Sequence, residues 1–262
     1  MPIEALVFDV DGTLADTEEA HRVAFNLAFE RYKLGWVWQP DVYRDLLRVA
    51  GGKERMAHYI GTLSMSEREA RRLLALVPAI HEEKTRFYSA VVNDGAVPLR
   101  EGVERLLHEA RNRGCTLAIA STTTAINIDK LLRCALGPAG PGFFAVISCG
   151  DQVAAKKPAP DIYRHSLRAL GTAPGRAIAF EDSQNGLRAA QAAGLWTLVT
   201  PNYWTEGSNL GDANLLLPRL GEPDRPLDGE PGRSLLTAAW VTLDELDAQV
   251  ARAATPVTER IE

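Results

Sequence analysis

Short runs of apolar residues that end at polar or charged side chains recur along this 262-residue chain. Runs bounded in this way are typical of buried strands, although their pattern alone does not separate a strand from a short buried helix. They lie at residues 3–9, 116–120, 144–147, 177–180 and 197–199. Helical patterns alternate with them, at residues 102–113, 126–135, 160–170 and 185–193. The alternation predicts an α/β fold with a Rossmann-like parallel sheet that helices cover on both faces.

One long segment breaks this alternation, because it contains helical patterns and no convincing strand. The patterns lie at residues 18–32, 40–49, 53–60 and 67–91. We therefore predict a helical insertion (residues 17–92), a cap placed inside a discontinuous α/β core formed by residues 1–16 and 93–262.

The pattern near the C-terminus is weaker. Residues 214–217 are predicted to form an edge strand, and residues 221–233, which are rich in Gly, Pro and Asp, a loop. A last helix is predicted at residues 241–252, with Thr242 as its N-cap and Glu245 three residues further on.

Composition narrows the possible functions. The chain is 46 % hydrophobic and 24 % charged, as in an ordinary globular protein, and its net charge of −5 argues against a nucleic-acid partner. The apolar N-terminal stretch is interrupted by Glu4, Asp9 and Asp11, unlike a signal peptide. Since no apolar run approaches the length of a membrane span, about 18 residues, we expect no membrane association.

The chain has three cysteines, Cys115, Cys134 and Cys149, with no CxxC pair. An odd number without metal-ligand spacing predicts neither a disulfide framework nor a zinc site. Reduced thiols fit a cytoplasmic protein.

The first apolar run ends in Asp9-Val-Asp11-Gly12. At a strand end, two carboxylates at this spacing can hold a divalent cation such as Mg²⁺, and one can attack phosphorus while the other moves a proton. A bare DxD is also common in surface turns, and glycosyltransferases use it to bind a metal.

Later strands end in further polar groups. Ser121 follows the second apolar run, Lys157 follows the third, and Glu181 and Asp182 follow the fourth. Each of them, taken alone, is more often part of a turn, a solvated loop or a helix start. Together they arrive in a fixed order, each at the end of a predicted strand, where ligands bind in sheets of this kind.

In this order the motifs resemble the four motifs of the haloacid dehalogenase-like hydrolases, over nearly the whole chain up to residue 203. The second carboxylate is absent from the dehalogenases themselves and implies phosphoryl transfer. The resemblance implies that Asp9 is the nucleophile and that Asp11 protonates the leaving oxygen and then deprotonates water. It also implies that Mg²⁺ is held by the Asp9 carboxylate, the Asp11 carbonyl and Asp182, with Glu181 as a ligand or its neighbour. Ser121 and Lys157 would hold the phosphoryl oxygens.

The helical insertion matches the cap of one branch of this family. Residues 43–55, 156–163 and 181–187 are similar to those of the CbbY-type phosphatases, which dephosphorylate xylulose-1,5-bisphosphate. This resemblance implies a small phosphorylated sugar as substrate, and a bisphosphate needs a second anion site. The expected substrate contacts are Glu18, His21, Arg44, Arg48, Gly52, Lys53, Arg55, Thr122 and Thr123.

Two alternatives stay open. A phosphosugar mutase of the β-phosphoglucomutase type shares every core residue and differs in whether a sugar hydroxyl or water reaches the aspartyl phosphate. A phosphate-binding module without turnover is disfavoured, because it has no use for Asp11 as an acid. We expect a monomeric phosphoric monoester hydrolase.

Overall fold

The computed structural model of the chain describes residues 2–94 and 97–254. Parts of the predicted core, namely residues 1, 95–96 and 255–262, lie outside these described residues. In chain order, the strands are β1 (Ala5–Phe8), β2 (Thr116–Ala120), β3 (Val146–Ser148), β4 (Ala177–Glu181), β5 (Trp196–Val199) and β6 (Leu215–Leu216). They form one sheet in the order β3-β2-β1-β4-β5-β6, and all neighbours are parallel. The predicted α/β class and Rossmann-like sheet are confirmed.

Helices cover both faces of this sheet. They are α1 (Glu18–Arg31), α2 (Pro40–Leu46), α3 (Gly52–Thr62), α4 (Glu67–Asp94), α5 (Val103–Asn112), α6 (Ala125–Leu136), α7 (Asp161–Leu170), α8 (Gln184–Ala192) and α9 (Leu243–Ala254). Alternate residues of β1 point to opposite faces. Leu6 and Phe8 pack in a cluster with α5, α6 and α9, whereas Ala5 and Val7 pack with α7 and α8.

Helices α1 to α4 occupy the predicted helical insertion. They bury a cluster of their own, in which Phe25, Phe29, Trp38 and Tyr43 make ring contacts. The predicted helix at 40–49 is too long, because α2 ends at Leu46 and tight turns continue the chain to residue 49. The exact boundaries of the insertion stay a prediction.

The C-terminal segment packs on the core. Its edge strand is two residues shorter than predicted, and its last helix begins two residues later. The Thr242 hydroxyl accepts a hydrogen bond from the Glu245 backbone N–H (3.2 Å), which confirms the predicted cap. The Glu245 carboxylate turns instead toward Thr237 and Ala238, where it accepts backbone hydrogen bonds of 2.9 and 3.2 Å. Within the described ranges, no helix has the length and apolar character needed to cross a bilayer.

Candidate active site

Three adjacent strands deliver polar residues to one edge of the sheet. Asp9 follows β1, Ser121 follows β2, and Glu181 and Asp182 stand at the end of β4. Phe8 is in register with both Ile119 and Phe180 on the flanking strands, so the three strand ends lie side by side. This is the edge at which doubly wound sheets bind ligands.

Asp9, Glu181 and Asp182 form a buried acidic cluster, with one carboxylate oxygen of each within 4.8 Å of the others. Burial, followed by the repulsion of neighbouring carboxylates, raises the pKa of Asp182 well above its usual value. The pKa of Asp9 is also raised, by burial and by Glu181 and Asp11, against the attraction of Lys157. A bound cation would relieve this repulsion, and oxygen ligands suit Mg²⁺. The cluster therefore fits a magnesium ion on chemical grounds.

Lys157 contacts two carboxylates of this cluster, one of which is the predicted nucleophile. Its ammonium donates to Asp9 Oδ1 at 2.6 Å and to Glu181 Oε1 at 2.5 Å. Burial alone would lower the pKa of Lys157, but the two carboxylates raise it above its usual value, so the side chain is charged. The Tyr163 hydroxyl also donates to Glu181 Oε1. Glu181 thus orients Lys157 in addition to any contact that it makes with a metal.

Asp11 turns away from this cluster and toward the helical insertion. Its Oδ1 accepts a hydrogen bond from the Thr17 hydroxyl at 2.6 Å and lies 2.9 Å from His21 Nε2. Burial alone would raise the pKa of Asp11, but His21, Thr17 and Lys84 lower it to about 2. The Asp11 carboxylate is therefore held as an anion apart from the other three. Whether its carbonyl binds a metal stays a prediction.

A cavity of about 630 Å³ lies between the sheet edge and the helical insertion. Asp9, Asp11, Lys157 and Asp182 line it. Ser121 is buried at the end of β2 and is not part of the lining, although Thr122 and Thr123 are. All nine expected substrate contacts line this cavity: Glu18, His21, Arg44, Arg48, Gly52, Lys53, Arg55, Thr122 and Thr123.

The four expected cations differ in their freedom to meet an anion. Arg55 is buried and donates to the Tyr43 hydroxyl at 3.0 Å. Arg44 donates to a backbone carbonyl at 2.9 Å. Arg48 is exposed but pairs with an aspartate at 3.2 Å, whereas Lys53 makes only a loose contact of 3.8 Å with another aspartate. Lys53 is therefore the cation of this set most free to turn toward a ligand.

Sequence reasoning missed three residues of the site. Lys84 contacts His21, His81 lines the cavity, and Asn202 contacts Asp182. Burial lowers the pKa of His81 to about 3, and nearby lysines add to the effect. The imidazole of His81 is therefore neutral, and the positive charge on this side of the cavity comes from the lysines. Of the three, only Lys84 could have been identified from the sequence pattern. It lies on the apolar stripe of α4 that also holds Ile80 and Tyr88, where a lysine is expected to be buried.

Comparison with known proteins agrees with this geometry. The family model of the haloacid dehalogenase-like hydrolases matches residues 3–194. The chain is 48 % identical over 225 residues to the plasmid CbbY protein of Cupriavidus necator. The aligned region covers 86 % of this chain and 89 % of the relative.

Solved structures of CbbY from Rhodobacter sphaeroides have the same fold. One contains phosphate (TM-score 0.76) and another, of a mutant, contains xylulose-1,5-bisphosphate (TM-score 0.77). Each is 42 % identical to this chain and covers 83 % of it and 94 % of its own length. The chain therefore belongs to the haloacid dehalogenase-like hydrolase family, as a CbbY-type phosphatase.

Proposed function

We propose that this phosphatase removes phosphate from a phosphorylated sugar with Mg²⁺ as cofactor and Asp9 as nucleophile, and that xylulose-1,5-bisphosphate is its substrate. The observation that carries the proposal is the contact of Lys157 with Asp9 beside the acidic cluster of Asp9, Glu181 and Asp182. A carboxylate next to a buried ammonium and a candidate cation site suits attack on a phosphate, whose own negative charge must be neutralised first.

The first step transfers the phosphoryl group to the protein. An Asp9 carboxylate oxygen attacks phosphorus, the bond between phosphorus and the sugar oxygen breaks, and an aspartyl phosphate forms. Lys157 offsets charge on the phosphoryl oxygens. Asp9, Asp182 and the Asp11 carbonyl would hold Mg²⁺, with Glu181 beside it, and a bound Mg²⁺ would supply further positive charge there.

Asp11 moves the protons. In the first step it gives the sugar oxygen a proton that it must first take up from solvent as the substrate binds, because its contacts alone lower its pKa to about 2. An incoming phosphate dianion raises the pKa of a neighbouring carboxyl, because like charges disfavour ionisation. In the second step the Asp11 carboxylate takes a proton from the water that attacks the aspartyl phosphate. Thr17 and His21 hold this carboxylate in the anionic form.

The substrate assignment rests on the cavity and on the relatives. The walls contributed by the helical insertion carry Arg44, Lys53 and Arg55, which supply the positive charge that a second phosphate requires. The protein of 42 % identity that was solved with xylulose-1,5-bisphosphate has the same fold. The proposal includes the monomeric state and cytoplasmic location predicted from the sequence.

The decisive experiment measures phosphate release from xylulose-1,5-bisphosphate and from p-nitrophenyl phosphate, with Mg²⁺ and with excess EDTA. The proposal expects release from both substrates that EDTA abolishes, with a larger kcat/KM for the bisphosphate. Interconversion of glucose 1-phosphate and glucose 6-phosphate without net phosphate release would instead establish a mutase. Phosphate binding without turnover of any of these compounds would contradict both enzymes.

A further inference from the structure

We propose that Asn202 is a positioning residue of the metal site, which orients Asp182 and links that carboxylate to the helical insertion. The inference rests on the proposed function, because the orientation of Asp182 matters for catalysis only if a cation binds there. Asn202 lies beyond the residues that the family model matches, in the loop that follows β5.

The Asn202 amide holds two groups of the site at once. Its Nδ2 donates to Asp182 Oδ2 at 2.8 Å and to the carbonyl of Gly12 at 3.1 Å. Its Oδ1 accepts from the backbone N–H groups of Trp204 and Thr205 at 2.8 and 3.2 Å. Because backbone N–H groups only donate, these two bonds fix which end of the amide faces Asp182. One oxygen of Asp182 is thereby held, which leaves the other for a cation.

The turn after Asp11 makes room for this contact. Gly12 has a φ of +86°, and a Cβ there would lie 2.2 Å from Asp182 Oδ2 and 2.5 Å from Asn202 Nδ2. A side chain at Gly12 would therefore displace the hydrogen bond as well as strain the backbone.

Arg100 fixes the chain just before Asn202. Its guanidinium donates to the carbonyls of Gly12 and Thr200 at 2.5 and 2.7 Å, and to the carbonyl of Pro201 at 2.9 Å. The loop after β5 and the turn after β1 are thus tied to one rigid group. Asn202 begins its turn from a backbone that is already placed against Gly12.

The residues after Asn202 contact α2 of the helical insertion. Arg44 donates to the carbonyl of Tyr203 at 2.9 Å, and its guanidinium lies 4.3 Å from the centre of the Tyr203 ring. The ring of Trp204 meets Tyr43 edge-on, with 5.5 Å between ring centres. Two successive residues of one loop therefore touch the insertion, while Asn202, immediately before them, touches Asp182. A shift of α2 against the core acts on this carboxylate through three consecutive residues.

The test measures Mn²⁺ binding to the protein without substrate, by electron paramagnetic resonance of the free ion and by calorimetry. Asn202→Ala removes the whole amide. Asn202→Ser keeps an oxygen that can accept within the turn but is too short to reach Asp182. Removing an outer partner of a metal ligand typically weakens binding by about 10- to 100-fold, and we expect a loss of this size in both variants. Asn214→Ala is the matched control, because this asparagine accepts from the Thr197 N–H (2.8 Å) away from the acidic cluster.

The Asn202→Ser variant keeps the turn acceptor and loses only the reach to Asp182. Unchanged Mn²⁺ affinity in folded Asn202→Ser therefore overturns the proposal, whether or not Asn202→Ala folds. An equal loss in Asn214→Ala overturns it too, since the effect would then be general destabilisation. If the wild type binds no Mn²⁺, the proposed function fails together with this inference.

A separate pair of variants tests the link between Asn202 and the helical insertion. Trp204→Ala removes the ring that meets Tyr43, and we expect it to weaken Mn²⁺ binding, whereas Trp204→Phe, which keeps an aromatic edge, restores most of the affinity. Wild-type affinity in Trp204→Ala would overturn the link and leave Asn202 a local role.

Discussion

The ammonium of Lys84 on α4 lies 2.5 Å from Nδ1 of His21 on α1. In its charged form, below its pKa of about 7, the Lys84 ammonium only donates, so Nδ1 of the imidazole accepts and Nε2 carries the proton that faces Asp11. The ring is also stacked on Tyr88, with 4.1 Å between ring centres. A lysine of the helical insertion thus sets the tautomer of the histidine that holds Asp11, and this relationship leads to a prediction about pH.

Lys84→Met should stabilise the protein most below neutral pH. Burial lowers the pKa of Lys84 to about 7, despite the attraction of Asp11. The unfolded chain keeps this proton up to a pH of about 10.4. The contribution of Lys84 to the free energy of unfolding is therefore least favourable below pH 7 and rises between pH 7 and that value. Methionine removes this effect. Urea unfolding should show a larger gain for the variant at pH 6 than at pH 9.

The same variant should lose activity, because the His21 tautomer is no longer fixed. Lys130→Met, a lysine of α6 that does not line the cavity, is the control for both measurements. An equal gain in stability at the two pH values would show that Lys84 is not buried as a charge.

Asp9→Asn should abolish turnover, whereas Asp11→Asn should lower kcat by about 10²- to 10⁴-fold, the usual contribution of a proton-transfer group. The difference arises because Asp9 forms the covalent bond and Asp11 only moves protons. With p-nitrophenyl phosphate, whose leaving group needs little protonation, Asp11→Asn should accumulate aspartyl phosphate, detectable as a mass increase of the intact protein. Near wild-type rates in Asp9→Asn would refute the assignment of the nucleophile.

Glu245→Gln should lower the melting temperature at pH 7 and leave it unchanged in acid. Burial alone would raise the pKa of Glu245, but hydrogen bonds from Thr237, Gln249 and Ala238 lower it. A lowered pKa in the folded state means that the carboxylate stabilises the fold above its unfolded pKa of about 4.3. This contribution is lost as the pH falls through the folded value. Calorimetry at pH 7 and pH 3 checks the difference, with Glu104→Gln on exposed α5 surface as the control.

The sequence was sufficient to predict the sheet and the residues at its edge, because both depend on local patterns. A buried strand must be apolar along its length, so Asp9 and Asp182 at strand ends mark the edge where a ligand binds. The end of α2 was missed because the residues after Leu46 remain compatible with a helix, and only the turn into α3 stops it.

Partners that are distant in sequence were beyond such patterns. Lys84 is 63 residues from His21, and Asn202 is 20 residues from Asp182. Periodicity shows which face of a helix is buried, but it does not show which side chain meets that face from another element. Asn202 lies in a loop, where no periodicity applies at all.

The last prediction concerns the cations of the helical insertion and the distal phosphate of a bisphosphate. Lys53→Ala should lower kcat/KM for xylulose-1,5-bisphosphate by roughly 10- to 150-fold, since a hydrogen bond to a charged group contributes about 1.5–3 kcal/mol. It should leave p-nitrophenyl phosphate nearly unaffected, because that compound has no second phosphate. Lys53→Glu should be worse than Lys53→Ala. Steady-state kinetics on both substrates measures these differences, and Arg68→Ala, an exposed position of α4, is the control.

Arg44 and Arg55 should behave differently from Lys53, because both already hold parts of the structure. Arg55 is buried and donates to Tyr43 and to the carbonyl of Val49, so Arg55→Ala should harm both substrates and lower the melting temperature. Arg44 contacts Tyr203, so Arg44→Ala combines any loss of phosphate binding with a weaker contact between α2 and the core. A loss confined to the bisphosphate therefore identifies a cation that binds the second phosphate, and equal losses on both substrates identify one that supports the cavity. If Lys53→Ala gives equal losses, or none, the distal phosphate is bound elsewhere on the cavity wall.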